Sequence, residues 1–143
     1  MYQAEEEFEQ QFDMDLVDLD EIVEYVNKVI NIEQISKKFD YVLEEQTINV
    51  HMRRSHCTAS VGDEDGIGID PASKKIIVVL HELAHCLQFR LNFEDEIRFA
   101  GHDSTFTSVY LFLVRYAIGV LGYNCLKRQF DKFGVKYVDL IPV

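Results

Sequence analysis

The stretch that most constrains the fold is an apolar run leading directly into two histidines around a glutamate. The run IIVVL covers residues 76–80, and HELAH covers residues 81–85. In an α-helix, residues four apart lie on one face, one turn above each other. A helix over this stretch therefore places the imidazoles of His81 and His85 where one metal ion can take a nitrogen from each. Glu82 can then reach a water beside that ion without being a ligand itself.

This spacing is the H-E-x-x-H pattern of zinc hydrolases, in which the glutamate is the general base. The preceding residues favour a helix, because Asp70 suits an N-cap and Pro71 suits the first helical position. Nothing from there to about Arg90 breaks a helix, so we predict one long helix with the motif in its third and fourth turns. Two other interpretations are a buried helix with two hydrogen-bonded core histidines and a buried strand over residues 76–80. Burying this trio without a metal is costly, and the N-cap signal disfavours the strand.

Two histidines do not complete a catalytic zinc site, which has three protein ligands and an open position. The extended metzincin pattern is absent, because Gln88 and Leu91 stand where its glycine and third histidine would be. We expect His102 to be the third ligand, since Gly101 allows a tight turn immediately before it. A simpler role for His102 is a backbone hydrogen bond at the start of a helix. The other candidate ligands are acidic: Glu94, Asp95, Glu96 and Asp103.

Further residues are candidates for supporting roles at this site. Acidic side chains that can accept a hydrogen bond from a ligand histidine are Glu94, Asp95 and Asp103, with Asp103 preferred, although it is equally suited to helix capping. No group that stabilises an oxyanion is obvious, and the candidates are Tyr110, Tyr116, His56 and Arg115. His51 and His56 are better interpreted as surface residues than as ligands.

Charge and composition limit the partners and the compartment. The chain has 143 residues, of which 48% are hydrophobic, and a net charge of −11. This charge disfavours nucleic acid and anionic membranes as partners, and no apolar stretch reaches the length of a membrane span. The N-terminus lacks the features of a signal peptide. The three cysteines, Cys57, Cys86 and Cys125, are widely spaced and read as reduced thiols. We expect a cytoplasmic protein that acts on a peptide or protein substrate.

We predict a single α+β domain over residues 1–143, with a small antiparallel sheet packed on the central HExxH helix. Residues 1–17 form an acidic extension or helix, whose apolar residues include Phe8 and Phe12 at helical spacing. Its acidic side is predicted to be a solvated face, or alternatively a cover over the active site. Asp18-x-x-Glu21 resembles a capping box and opens a helix. That helix has an apolar face of Ile22, Tyr25, Val26, Val29 and Ile30.

The elements on either side of the central helix follow from turn and capping signals. Residues 36–38 are predicted to be a polar connection, and strands are predicted at residues 47–52, 57–61 and 67–69 with a turn at 62–66. We expect the last strand to lie beside the site, where it can bind an extended peptide. A helix capped by Asp103 or Ser104 then has a core face of Phe106, Val109, Tyr110, Leu113 and Val114. It is predicted to end at residues 117–120 and break at Gly122. A last helix over residues 124–132 precedes Gly134 as a C-cap and an extended tail or edge strand.

Residues 79–85 (VLHELAH), followed by Gly101-His102-x-x-x-Phe106, resemble the small zincin-type metallohydrolases of bacteria and their phages. They are similar, more distantly, to the SprT-like metalloproteases, and the resemblance covers about residues 45–135. It implies a zincin-like fold, Zn²⁺ bound by His81, His85 and His102, and Glu82 as the catalytic base. Where such proteins often have Gly-His-Gly-Pro-Glu-Phe, residues 101–106 read GHDSTF. Only Cys125 follows the site, so the Cys-rich zinc ribbon typical of SprT-like proteins is missing and a role in DNA repair is not implied.

The leading hypothesis is therefore a zinc metallopeptidase in which a metal-activated water attacks an amide carbonyl, with Glu82 as general base. The alternative is a non-catalytic zincin-fold module that binds or regulates a partner and uses its metal structurally. A third interpretation is an amidase that acts on a small or cell-wall amide by the same chemistry.

Overall fold

The structure is a computed structural model that describes residues 3–4, 7–8, 18–43, 48–53, 60–72, 74–94 and 104–140. The helices are α1 (Leu19–Ile30), α2 (Glu33–Lys38), α3 (Asp40–Leu43), α4 (Ile76–Glu94), α5 (Ser104–Ala117) and α6 (Val120–Lys132). The strands are β1 (Asn49–Met52), β2 (Val61–Asp63) and β3 (Gly66–Ile69). The protein is thus of the α+β class, as the sequence predicted.

The first helix begins where the capping signal placed it. The Asp18 side chain accepts a hydrogen bond of 2.9 Å from the backbone N–H of Glu21, and Ile22, Val26 and Val29 are buried. The prediction of a polar connection at residues 36–38 is wrong, because these residues complete helix α2. That helix has only one buried side chain, Ile35, so its sequence carries no repeating apolar pattern from which a helix could be predicted.

The sheet is mixed, which corrects the prediction of an antiparallel sheet. Its strand order is β1-β3-β2; β2 and β3 form an antiparallel hairpin, whereas β1 runs parallel to β3. β1 and β2 are consecutive in sequence but lie at opposite edges of the sheet, with β3 between them.

The hairpin turn is tighter than predicted. The Asp63 carboxylate accepts hydrogen bonds from the backbone N–H groups of Asp65 (3.0 Å) and Gly66 (3.2 Å). The reversal is therefore confined to Glu64 and Asp65, and Gly62 and Asp63 belong to the strand. Residues 57–59, which were predicted to be part of this strand, lie outside the described residues.

Helix α4 begins later than the capping signal suggested. The Asp70 carboxylate accepts a hydrogen bond of 2.9 Å from the N–H of Ala72, which is the bond of an Asx turn. Asp70 and Pro71 therefore end the hairpin region, and the helix begins at Ile76 with the motif in its second and third turns. The helix also continues past Arg90 to Glu94. Residues 76–80 are helical, so the strand interpretation is wrong.

Helix α4 lies between the sheet and α5, which explains why it is apolar on nearly all sides. On the sheet side, Val79 and Cys86 belong to a buried cluster with Ile67 and Ile69 of β3 and with residues of α1. On the other side, Leu80, Leu83 and Leu87 belong to the main core. The predicted core face of α5 is confirmed, because all five of its residues are buried: Phe106, Val109, Tyr110, Leu113 and Val114.

The N-terminal extension contributes to this main core. Residues 3–4 and 7–8 are helical, and Ala4 and Phe8 are fully buried. The Phe8 ring packs edge-on against Tyr110, with a centroid distance of 6.4 Å. At the described positions of the extension, the apolar side chains are therefore part of the packed domain. Phe12 lies outside the described residues.

The break between the last two helices is at Gly119, not at the predicted Gly122. Gly119 has a φ of +126°, which favours glycine, whereas Gly122 is buried inside α6. As predicted, Gly134 ends α6: its φ is +67°, and the next N–H, of Val135, donates to the carbonyl of Phe130 at 2.8 Å. This is the bond of a Schellman cap.

Residues 135–140 have no regular secondary structure and lie against the first turns of α5. The Thr107 hydroxyl donates to the carbonyl of Lys136 (2.6 Å), and the N–H of Val138 donates to the hydroxyl of Ser108 (2.7 Å). Across the described residues, no helix combines the length and the apolar character needed to cross a membrane.

Candidate metal centre

Helix α4 brings His81, Glu82 and His85 together, as the i, i+4 spacing predicted. Each offers a ligand atom, and these atoms all lie within 4.8 Å of one another. The two imidazole centroids are 4.9 Å apart. Both histidines are half-buried, whereas Glu82 is only 7% exposed. This group could hold a metal ion.

The ring of His85 is oriented by Gln88, a residue to which the sequence analysis gave no role. The Nδ1 atom of His85 lies 2.9 Å from Oε1 of Gln88. An amide oxygen can only accept a hydrogen bond, so a bond to Gln88 in this orientation of its amide requires the proton on Nδ1. A neutral imidazole has one N–H, so Nε2 keeps the lone pair that can coordinate a metal.

Aromatic residues of α5 form a wall behind the two histidines. The Phe106 ring stacks on His85 at a centroid distance of 4.0 Å and an interplanar angle of 16°. It also lies 4.9 Å from the His81 ring, and Tyr110 meets His81 at 5.7 Å. The wall excludes water from one side of the site. Residue Phe106 was predicted as a core residue, but its contact with the histidines was not foreseen.

Strand β2 lies against the motif on the other side. A Cβ added to Gly62 would lie 2.9 Å from the carbonyl carbon of Glu82 and closer still to its oxygen. The strand backbone thus touches the helix backbone, which only glycine allows. The prediction that the last strand, β3, lies beside the site is wrong. β3 is the central strand of the sheet, and the edge strand β2 lies beside the site.

An open cleft of about 310 Å³ lies between β2 and α4. It is lined by the three motif residues and four neighbours: Ser60, Val61, Gly62 and Phe89. Val61 and Phe89 are 36% and 39% exposed. The cleft therefore combines ionisable groups with two solvent-accessible apolar side chains.

The other predicted site residues are distributed as follows. Lying outside the described residues are His56, Asp95, Glu96, His102 and Asp103, as well as the side chain of Glu94. His51 lies on the sheet face opposite α4, where its Nε2 covers Gly68: a Cβ there would be 2.6 Å away. It is remote from the motif, which agrees with its interpretation as a surface residue.

The candidates for oxyanion stabilisation differ in whether they contact a motif histidine. Arg115 lies over the ring of Tyr116, 5.0 Å from its centroid, and that ring packs against Phe112. Within the described part of the chain, Tyr110 is the candidate whose ring contacts a motif histidine.

Cys86 and Cys125 are buried thiols that are not in a disulfide, as predicted, and Cys57 lies outside the described residues. Burial raises the pKa of the Cys86 thiol to about 11. Cys86 is therefore a neutral packing residue between α4 and the sheet.

Comparison of the chain with models of protein families, with curated proteins and with solved structures finds no match. Two imidazoles with a carboxylate beside them form a group of donor atoms that could hold a metal ion.

Proposed function

We propose that this protein is a zinc-dependent hydrolase, and specifically a metallopeptidase of the zincin type. The observation that carries the proposal is the convergence of His81, Glu82 and His85 in an open cleft beside an edge strand. Imidazole nitrogens suit zinc, and His102 is proposed as the third ligand on the basis of the sequence alone.

A zinc ion in this site would lower the pKa of a water and polarise the carbonyl of an amide. Glu82 takes the proton from the attacking water and returns it to the leaving amine. Glu82 as a whole is 7% exposed, and it is one of the residues that line the cleft. Phe106 keeps bulk water from the rear of the two histidines.

The proposed substrate is a peptide in extended conformation. Among the described strands, β2 has a neighbour on one side only, so its other edge can pair with an added strand. Because the backbone of Gly62 touches that of Glu82, a peptide on this edge would lie within reach of the carboxylate. Val61 and Phe89 offer apolar contact to its side chains.

A non-catalytic module with a structural metal is the competing proposal. Structural zinc sites are closed by four protein ligands, whereas catalytic sites keep one position open. Half-exposed histidines that line a cleft of about 310 Å³ favour the catalytic role.

The test is Glu82→Gln, assayed by cleavage of a pool of unstructured peptides and by zinc content. We expect turnover to fall by about 10²–10⁴-fold, the usual contribution of a general base, while bound zinc is unchanged. Glu64→Gln is the matched control, since it makes the same substitution on the exposed β2–β3 turn and should cleave normally.

Wild-type cleavage should also be blocked by a hydroxamate inhibitor. Normal turnover by Glu82→Gln would refute the proposed mechanism. Zinc binding without cleavage of any peptide in the pool would favour the structural-metal module.

A further inference from the structure

We infer that Gln88 is a positioning residue that fixes the tautomer and the orientation of His85 before any metal binds. This inference rests on the proposed zinc site, and it assigns a role to a residue outside the H-E-x-x-H motif. The observation behind it is the 2.9 Å contact between Nδ1 of His85 and Oε1 of Gln88.

The hydrogen bond follows from the helix itself. Residues three apart on a helix are neighbours on its surface, and α4 is continuous from Ile76 to Glu94. Residue 88 therefore reaches residue 85 without help from another element. Gln88 and His85 are both half-buried, which reduces the competition from water for this bond.

The two nitrogens of the ring have different roles as a result. The amide oxygen accepts from Nδ1–H, so the neutral ring keeps its lone pair on Nε2. If Gln88 were absent, the proton could move to Nε2, which would have to lose it before coordinating a metal. A partner that fixes the tautomer of a ligand histidine typically contributes 10- to 100-fold in metal affinity.

Stacking removes the remaining freedom of the ring. Phe106 lies on the His85 ring at 4.0 Å and 16°, and Phe89 lies 6.4 Å away at 30°. The amide fixes one edge of the ring while the aromatic rings restrict its rotation. The imidazole is thus held in place from α4 and from α5 at once.

Gln88 differs in one respect from the usual partner of a ligand histidine, which is a carboxylate or a backbone carbonyl. A neutral amide orients the ring without adding a negative charge, in a chain whose net charge is already −11. A carboxylate at this position would orient the ring equally well and raise its basicity. Gln88→Glu should therefore keep the zinc affinity or increase it.

The decisive variants are Gln88→Leu, which removes the acceptor at similar size, and Gln88→Glu, which restores one. Zinc affinity is measured by competition with a chromogenic chelator. We expect about a 10- to 100-fold loss for Gln88→Leu and wild-type or tighter binding for Gln88→Glu. Gln34→Leu is the control, because Gln34 is an exposed glutamine on α2, and it should bind zinc like the wild type.

A second measurement needs no variant and no metal. Proton–nitrogen correlation of the imidazole groups in metal-free wild-type protein, at a pH where the ring is neutral, should show the proton of His85 on Nδ1. A proton on Nε2 would overturn the inference, as would unchanged zinc affinity in Gln88→Leu. Wild-type protein that shows the Nδ1 tautomer but binds no zinc would instead refute the proposed function and leave the tautomer assignment standing.

Discussion

Helix α4 carries ionisable side chains in two different surroundings, the three motif residues and Arg90. Near its middle, His81, Glu82 and His85 line an open cleft. Near its end, Arg90 is 5% exposed and donates from Nε to the carbonyl of Glu64 and from Nη1 to the carbonyl of Val42, both at 2.9 Å.

The two surroundings differ in what the polar atoms of these side chains face. The Arg90 guanidinium is bonded to backbone carbonyls of the β2–β3 turn and of helix α3, so its partners are built into the fold. The motif residues instead offer three ligand atoms within 4.8 Å of one another at a cleft. A buried ion whose partners belong to the chain stabilises the fold, whereas a cluster of donor atoms that faces a cleft is suited to a ligand. The comparison predicts opposite responses to substitution.

The largest effect on stability is expected for Arg90→Met. This change keeps the side-chain length but leaves the carbonyls of Glu64 and Val42 without their donor. The contact with Val42 is buried and the contact with Glu64 is partly buried. Because an unsatisfied buried acceptor costs about 1–3 kcal/mol and a partly exposed one costs less, we expect a loss of about 2–4 kcal/mol in the free energy of unfolding. Denaturant titration measures it. Arg128→Met, at an exposed position of α6, should change stability by less than about 0.5 kcal/mol, and an equally stable Arg90→Met protein would break the comparison.

A smaller loss is expected for Gly62→Ala, which tests the contact between strand and motif. Its Cβ would overlap the backbone of Glu82, so β2 must move away at a cost of about 1–3 kcal/mol. KM for peptides should rise because the edge strand is displaced. Gly122→Ala is the control for KM: its Cβ would crowd Cγ2 of Ile118 at 2.8 Å, so it can also cost stability, but it lies on α6 and should leave KM unchanged. A Gly62→Ala protein with unchanged KM would argue against β2 as the peptide-binding edge.

Glu82→Gln should have little effect on stability, in contrast to Arg90→Met. The substitution keeps the size of the side chain and one hydrogen-bonding oxygen, and it removes a charge from a position that is 7% exposed, so it relieves a desolvation cost. We expect the unfolding free energy of the metal-free protein to stay within about 1 kcal/mol of wild type or to rise. A destabilisation as large as that of Arg90→Met would mean that the carboxylate is structural.

The smallest effect concerns Tyr25 of α1, which is partly buried against both core clusters. Burial raises its pKa above the ordinary value for tyrosine. The unfolded chain therefore releases this proton first, and the stabilisation is complete below about pH 10 and lost as the pH rises further. Tyr25→Phe should lose less stability than wild type between pH 9 and pH 11, as followed by the denaturant midpoint. Identical losses would exclude Tyr25 as a source of the pH dependence.

Local signals predicted much of this arrangement. The Asp18 cap, the core face of α5 and the proximity of His81 to His85 all follow from the spacing of residues within a single helix. The start of α4 was misplaced because Asp70 can cap a helix or close an Asx turn, and the choice depends on the position of the preceding hairpin. The mixed sheet was not predicted because the order and direction of strands depend on tertiary packing, which local residue patterns do not encode.

The roles of Gln88 and Arg90 show a different limit. Gln88 is three residues from a motif histidine, so its hydrogen bond could have been predicted by extending the spacing argument beyond residue 85. The partners of Arg90 lie in the β2–β3 turn and at Val42, which are distant in sequence, and no pattern around residue 90 indicates them. His102, the proposed third ligand, lies outside the described residues.

The contact of Gly62 with Glu82 has one more consequence. It joins two main chains and involves no side chain on the strand, so as long as residue 62 is glycine the gap between them is set by the radii of backbone atoms. Substitutions at Ser60 or Val61 can change the side chains that β2 presents to a bound peptide, but they do not change the contact between the backbones of Gly62 and Glu82. In the proposed peptidase, selectivity and reactivity can therefore vary independently.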